Sequence, residues 1–166
     1  MGMERGNISL RDAAYYSEDQ FLGSALSITQ PKDGFRAGSD AVLLAAMISA
    51  KAEESLLDVG CGVGTAGFCA LNRLPECSLW GIELQAELAA LARLNAERNG
   101  FAAQSVFIEA DIGVRSSFSG EVGPTGKPFL ETGFDHVFTN PPFYGKGRAR
   151  TAKSEIKTLA HIEGSV

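Results

Sequence analysis

From residue 55 onward, short apolar runs alternate with helical stretches, and that alternation constrains the fold more than any other feature of the chain. SLLDVG (55–60) is an apolar run closed by glycine, as a buried parallel strand would be. TAGFCALNRL (65–74) is helical in pattern and stops before Pro75. SLWGIEL (78–84) is a second strand. QAELAALARLNAERNG is a helix that Gly100 closes at its C′ position. SVFIEAD (105–111) is a third strand, and a loop rich in Gly, Ser and Pro follows over 113–133. FDHVFT (134–139) is a fourth strand, running into Asn140-Pro141-Pro142-Phe143. Strands that alternate with helices require crossover connections, so the expected fold is α/β, a doubly wound, mostly parallel sheet. In such sheets ligands bind beyond the carboxyl ends of the strands, where strand order reverses. Those ends are marked by Asp58-Val59-Gly60, Glu83, Asp111 and Asn140.

Upstream of the alternation, Ser39 is an expected N-cap and Asp40 an acid suited to the helix dipole. The helix over 40–50 is apolar nearly all round, which predicts burial on more than one side. The first thirty residues show no clear period. The apolar run 41–48 is far too short to span a bilayer, and the N-terminus lacks the basic-then-apolar pattern of a secretory signal, so the expected location is the cytoplasm. Cys61, Cys69 and Cys77, eight residues apart, match neither a zinc site nor a disulfide framework, and no metal is expected. A net charge of −5 argues against indiscriminate binding of nucleic acid.

The segment from Asp58 to Gly67 reads in two registers. From Gly62 it spells G-x-G-x-x-G with Glu83 lying 21 residues on, which is a dinucleotide fingerprint. From Asp58 it spells D-x-G-x-G-x-G, through Gly60, Gly62 and Gly64, and this resembles the class I methyltransferases. Charge separates the two. A pyrophosphate at the helix N-terminus would be repelled by an acid just before the turn. S-adenosylmethionine has no phosphate and carries a sulfonium and an ammonium, which Asp58 suits. Glu83 would then accept the ribose hydroxyls, and Asp111 would face the adenine amino group.

With Asn140-Pro141-Pro142-Phe143, the chain over about 21–166 resembles the amino-group methyltransferases that carry an N-P-P-F/Y motif. It is most similar to bacterial enzymes acting on N6 of an adenine in tRNA. Phe21-Leu22-Gly23, Gln30-Pro31 and Gly34-Phe35-Arg36-Ala37-Gly38-Ser39-Asp40-Ala41 look like that subgroup's N-terminal signature. The resemblance implies a Rossmann-like methyltransferase with S-adenosylmethionine as cofactor and tRNA as substrate.

The residue types suit that chemistry. An amine on an aromatic ring is a poor nucleophile because its lone pair is delocalised. The Asn140 side-chain carbonyl and the Pro141 backbone carbonyl can each accept one N–H, which aims the lone pair at the methyl group. Two prolines stiffen the strand end. Phe143 offers a stacking face worth roughly 1–3 kcal/mol. Alignment alone could supply roughly 7–11 kcal/mol of the acceleration. Asn140, Pro141 and Phe143 are therefore the expected catalytic residues, with Asn140 also beside the cofactor.

Pro142 and Phe143, with Lys146, Arg148 and Arg150, are the expected substrate contacts. Between Tyr144 and Lys157 five basic residues face one acid, a local surplus placed where a flipped nucleotide's phosphates would lie. Arg36 could meet substrate phosphate or the cofactor carboxylate. Two alternatives stay open: methylation of a glutamine side-chain amide in a protein, and a cofactor- or nucleic-acid-binding module without turnover.

Residues 1–38 are expected to form an extension leading into the fold, and 39–166 the cofactor-binding domain. Only 23 residues follow Phe143. The expectation is thus a sheet incomplete at its C-terminal side, with the fourth strand's outer edge unpaired and prone to association.

Overall fold

The computed structural model describes residues 13–141. After a 3₁₀ turn (Ala13–Tyr15), β1 (Tyr16–Phe21) and β2 (Leu26–Pro31) pair as an antiparallel hairpin. This element was not evident in the unpatterned N-terminal sequence. Leu22, Gly23 and Ser24 all take positive φ in its turn, a conformation that costs a β-carbon-bearing residue such as leucine or serine.

The main sheet is built from β3 (Ser55–Val59), β4 (Ser78–Glu83), β5 (Ser105–Glu109) and β6 (His136–Thr139). Its order is β5-β4-β3-β6 and every pairing is parallel. Strand order reverses at β3, as in a doubly wound sheet. The helices α1 (Ser39–Met47), α2 (Thr65–Arg73) and α3 (Ala86–Arg98) share one hydrophobic core, which holds Leu56, Leu79, Phe107 and Phe138 from alternate strand positions. The intervening strand residues Leu57, Trp80, Ile82 and Ile108 form a second core on the opposite face. There the connection from β5 to β6, with 3₁₀ turns at Arg115–Phe118 and Phe129–Glu131, supplies a cover of aromatic rings. Phe118 stacks on Phe129 at 4.3 Å between centroids, and Phe129 meets Trp80 edge-on at 5.3 Å. That face is therefore closed by ring packing rather than by an α-helix among the described residues.

Each helix ends as local chemistry dictates. Gly100, at φ 78°, donates its N–H to Glu97 O, and Phe101 donates to Ala96 O, which is a Schellman closure of α3. The expected Ser39 cap is corrected. Ser39 is already helical, Gly38 occupies the cap position, and the Asp40 carboxylate accepts the Gly38 N–H at 3.1 Å in place of a hydroxyl. The expected two-sided burial of α1 is also corrected. Only Ala41 and Ala45, four residues apart, are buried, whereas Leu43 is 66% and Met47 80% exposed. The reason is position: α1 packs against α2 as an outer layer, so one small-residue stripe suffices. The Arg73 guanidinium reaches from α2 to the Ala45 and Ile48 carbonyls at the C-terminal end of α1.

The hairpin is not hydrogen-bonded to the main sheet. Two asparagines, Asn95 of α3 and Asn99 at its C-cap, hold it instead. Asn95 accepts the Thr29 N–H and donates to the Thr29 carbonyl, at 2.9 and 3.0 Å. Asn99 does the same for Ser27, at 2.9 and 2.8 Å. Four residues of helix rise about 6 Å and two residues of strand about 6.8 Å, so the two amides match alternate strand positions. Asn95 is fully buried and donates also to the Val63 carbonyl, which ties the hairpin to the glycine turn.

Among the described residues, β6 pairs with β3 alone and Val137 is 63% exposed. No described helix is long and apolar enough to cross a membrane.

Candidate functional site

The turn after β3 is fixed by backbone bonds. Gly60 and Cys61 both donate to the Ile82 carbonyl, at 2.9 and 3.0 Å, and Gly64 donates to Cys61 O at 2.9 Å. Gly60, Gly62 and Gly64 have φ of 70°, 56° and 87°. The turn thus needs three left-handed residues in seven, which explains the glycine spacing. The surroundings of the three differ. A β-carbon at Gly60 or Gly62 would meet nothing within 4 Å, whereas one at Gly64 would lie 2.5 Å from the Phe68 ring. Gly64→Ala is therefore expected to cost about 2–4 kcal/mol, combining left-handed strain with overpacking. Gly60→Ala should cost only about 1–2 kcal/mol, from strain alone. Urea unfolding of the two variants checks this, and equal losses would contradict it.

Asp58 stands at the carboxyl end of β3 and is 1% exposed. Its Oδ2 has no hydrogen-bond partner. Burial pushes its carboxyl up to about 7, with the backbone N–H of Gly67 pulling down and the Glu83 charge adding a smaller upward push. A buried, partnerless acid oxygen beside an open glycine turn is costly unless a cation or donor completes it. That chemistry fits the ammonium end of S-adenosylmethionine and is a poor match for a phosphate.

Glu83 ends β4 on the neighbouring strand. One of its oxygens accepts the Gly62 N–H at 2.9 Å and the other the Gln85 N–H at 2.9 Å. The carboxylate is thereby set between the glycine turn and the start of α3. The third acid sits differently from expectation. β5 ends at Glu109, Ala110 N donates to the Glu83 carbonyl, and Asp111 is exposed in the loop beyond, where it accepts the Gly113 N–H at 2.8 Å. The strand stops early because Asp111 closes a turn on itself, a common use of an Asp side chain.

Asn140 follows β6, one residue beyond the last register pair Val59↔Thr139 and so level with Gly60. The Thr139 hydroxyl donates to Val59 O at 2.8 Å and holds the two strand ends together. Asn140 is half-buried, and its Nδ2 donates to Asp40 Oδ2 at 2.5 Å. Pro141 is exposed. Pro142, Phe143, Lys146, Arg148 and Arg150 lie outside the described residues.

Arg36 is engaged elsewhere. It pairs with Asp19 of β1 at 2.7 Å, and Gln30 donates to the same carboxylate while accepting the Ala37 N–H. This network fixes the approach to α1 and leaves Arg36 on the hairpin side. All three cysteines are free and buried, and burial first, then the Asp58 and Glu83 charges, hold the Cys61 thiol protonated. No group of three metal-ligating side chains occurs among the described residues. Two elements escaped sequence reasoning, Asp40 as the partner of Asn140 and Asn95 as the anchor of the turn.

A family model described as the methyltransferase small domain matches residues 32–160. A tRNA1(Val) (adenine(37)-N6)-methyltransferase from Porphyromonas gingivalis is 32% identical over 150 residues, covering 85% of this chain and 56% of that protein. A release factor glutamine methyltransferase from Chlorobaculum tepidum is 26% identical over 147 residues, covering 88% and 47%. Among solved structures, a predicted O-methyltransferase from Agrobacterium tumefaciens is 29% identical with a TM-score of 0.48, over 63% of this chain and 49% of that one. The chain spans about half the length of the curated relatives it matches.

Proposed function

Because the chain belongs to the methyltransferase small domain family, we propose that it binds S-adenosylmethionine at the β3 turn and directs methyl transfer to N6 of an adenine in tRNA. The observation that carries this reading is the partnerless buried oxygen of Asp58, set one strand away from Asn140 at the same end of the sheet. When bound, the cofactor supplies an electrophilic methyl group on a cationic sulfur.

The chain's own residues supply recognition and alignment. Asp58 holds the ammonium end. Gly60, Gly62 and Gly64 let the backbone approach closely. Glu83, already oriented by two backbone N–H groups, accepts the ribose hydroxyls, and Asp111 offers its second oxygen to the adenine amino group. Asn140 Oδ1 and the Pro141 carbonyl accept the two N–H groups of the acceptor amine, which directs its lone pair toward the methyl group. The methylated amine, cationic once the N–C bond has formed, loses its proton to water afterwards, so the step needs no general base.

Adenine in tRNA is favoured by Phe143 and the basic stretch Lys146, Arg148 and Arg150, and by the relative from Porphyromonas gingivalis. Methylation of a protein glutamine is the second reading, favoured by the relative from Chlorobaculum tepidum. Calorimetric titration with S-adenosylmethionine, with NADH as control, tests the cofactor half. Binding of the first and silence of the second are expected. Radiolabelled methyl should then enter tRNA; label entering a protein release factor instead would favour the second reading, and label in neither would sink both.

A further inference from the structure

Asp40 and Asn140 are 100 residues apart in sequence and meet through one contact, Asn140 Nδ2–H to Asp40 Oδ2 at 2.5 Å. The two oxygens of Asp40 have separate tasks. Oδ1 accepts the Gly38 N–H at the start of α1, and Oδ2 faces the strand end. The Asn140 amide first, then the backbone N–H groups of Ala41 and Gly38, hold the Asp40 carboxyl below the usual carboxylate range against the upward push of burial, which ranks second among these influences. It is therefore ionised at neutral pH and can only accept hydrogen bonds.

An asparagine amide has two faces of opposite chemistry, and exchanging them costs little where nothing distinguishes O from N. An ionised carboxylate does distinguish them, because it binds the NH2 face and repels the carbonyl. We propose that Asp40 is a positioning residue that sets the polarity of the Asn140 amide. With the NH2 group turned to Asp40, Oδ1 is presented on the other side as an acceptor for the N–H of the incoming amine. The opposite orientation would offer donors to the amine lone pair and oppose transfer. Donation to an anion also polarises the amide and strengthens Oδ1 as an acceptor. This inference deepens the functional reading above and rests on it for the catalytic role of Asn140.

Two measurements on the full chain test it. In the ¹⁵N-labelled protein, the Asn140 side-chain amide signal should shift with a titration midpoint below the usual carboxylate range and lose that response in Asp40→Asn. In methyl transfer, Asp40→Ala should lower kcat by about tenfold to a hundredfold, with KM for cofactor and acceptor changed by less than about threefold. Asp40→Asn should recover part of kcat, since its carbonyl can still accept from Asn140. A purely structural role in starting α1 would lower thermal stability without moving the Asn140 signal. An amide signal indifferent to Asp40 overturns the inference whether or not the chain turns over, as does an unchanged kcat in Asp40→Ala. Absence of transfer by the unsubstituted chain overturns the functional reading instead, and the amide titration then still decides the orientation.

Discussion

Asn140→Ala is expected to lower kcat by about a hundredfold to a thousandfold while leaving the dissociation constant for S-adenosylmethionine within about threefold. The asymmetry follows from placement. Asn140 lies after β6, level with Gly60, whereas the groups assigned to the cofactor are Asp58, the glycine turn, Glu83 and Asp111. Removing the amide deletes an acceptor that matters only when the amine approaches the methyl group, so the loss should appear in kcat. Fold stability should change little, because Asn140 is only half-buried and its described partner, Asp40, keeps its bond from Gly38. Single-turnover methyl transfer beside cofactor titration separates the two quantities. Turnover that survives the substitution would remove Asn140 from the mechanism.

Asp58 should make the empty protein more stable in mild acid than in mild base, and should make cofactor binding behave the opposite way. Its carboxyl is raised to about 7 by burial, whereas the unfolded chain titrates near the ordinary value of about 4. The folded state therefore keeps a proton that the unfolded state releases. The stability tied to that proton is complete below about pH 4 and is lost as pH rises through about 7, a total of the order of 4 kcal/mol. Urea unfolding at pH 5 and pH 8 should show the difference, and Asp58→Asn should abolish it and raise stability at pH 8. Binding of a cationic ligand needs the ionised form. Affinity for S-adenosylmethionine should therefore climb by up to about tenfold per pH unit from pH 5 to 7, and become weak and flat in Asp58→Asn. Retention of full affinity by that variant at pH 8 would remove Asp58 from the cofactor site.

The parts legible in the sequence were those whose cause is local. Apolar runs closed by Asp58-Val59-Gly60 and by Glu83 announced parallel strands, and three glycines at alternate positions announced a turn that only left-handed residues can make. Gly100 marked the end of α3 for the same reason. What stayed hidden depended on distant partners. The hairpin was not readable because β1 is nowhere fully buried and β2 is completed by side chains 66 to 72 positions away. Asn95 left one trace, a poor helix former inside α3, which is a cost that needed a reason, whereas Asn99 at the C-cap left none. Asp40 was read for the helix dipole alone, since nothing near it in sequence points to Asn140. Leu43 and Met47 suggested deeper burial of α1 because composition alone does not say that a helix will form an outer layer.

The asparagine clasp has a consequence for the order in which the protein is made. The hairpin is the first described β element to be synthesised, yet the groups that complete the outer edge of β2 belong to α3 and its C-cap, more than sixty residues downstream. Until α3 is formed and packed, the Thr29 and Ser27 backbone groups have only water to bond. Loop closure over that distance must be met before any of these bonds repays it. The N-terminal element is thus born early and docked late. Because Asn95 also holds Val63, the clasp closes on the glycine turn in the same event that seats the hairpin. The hairpin is in this way committed to the fold in the same step that ties down the glycine turn.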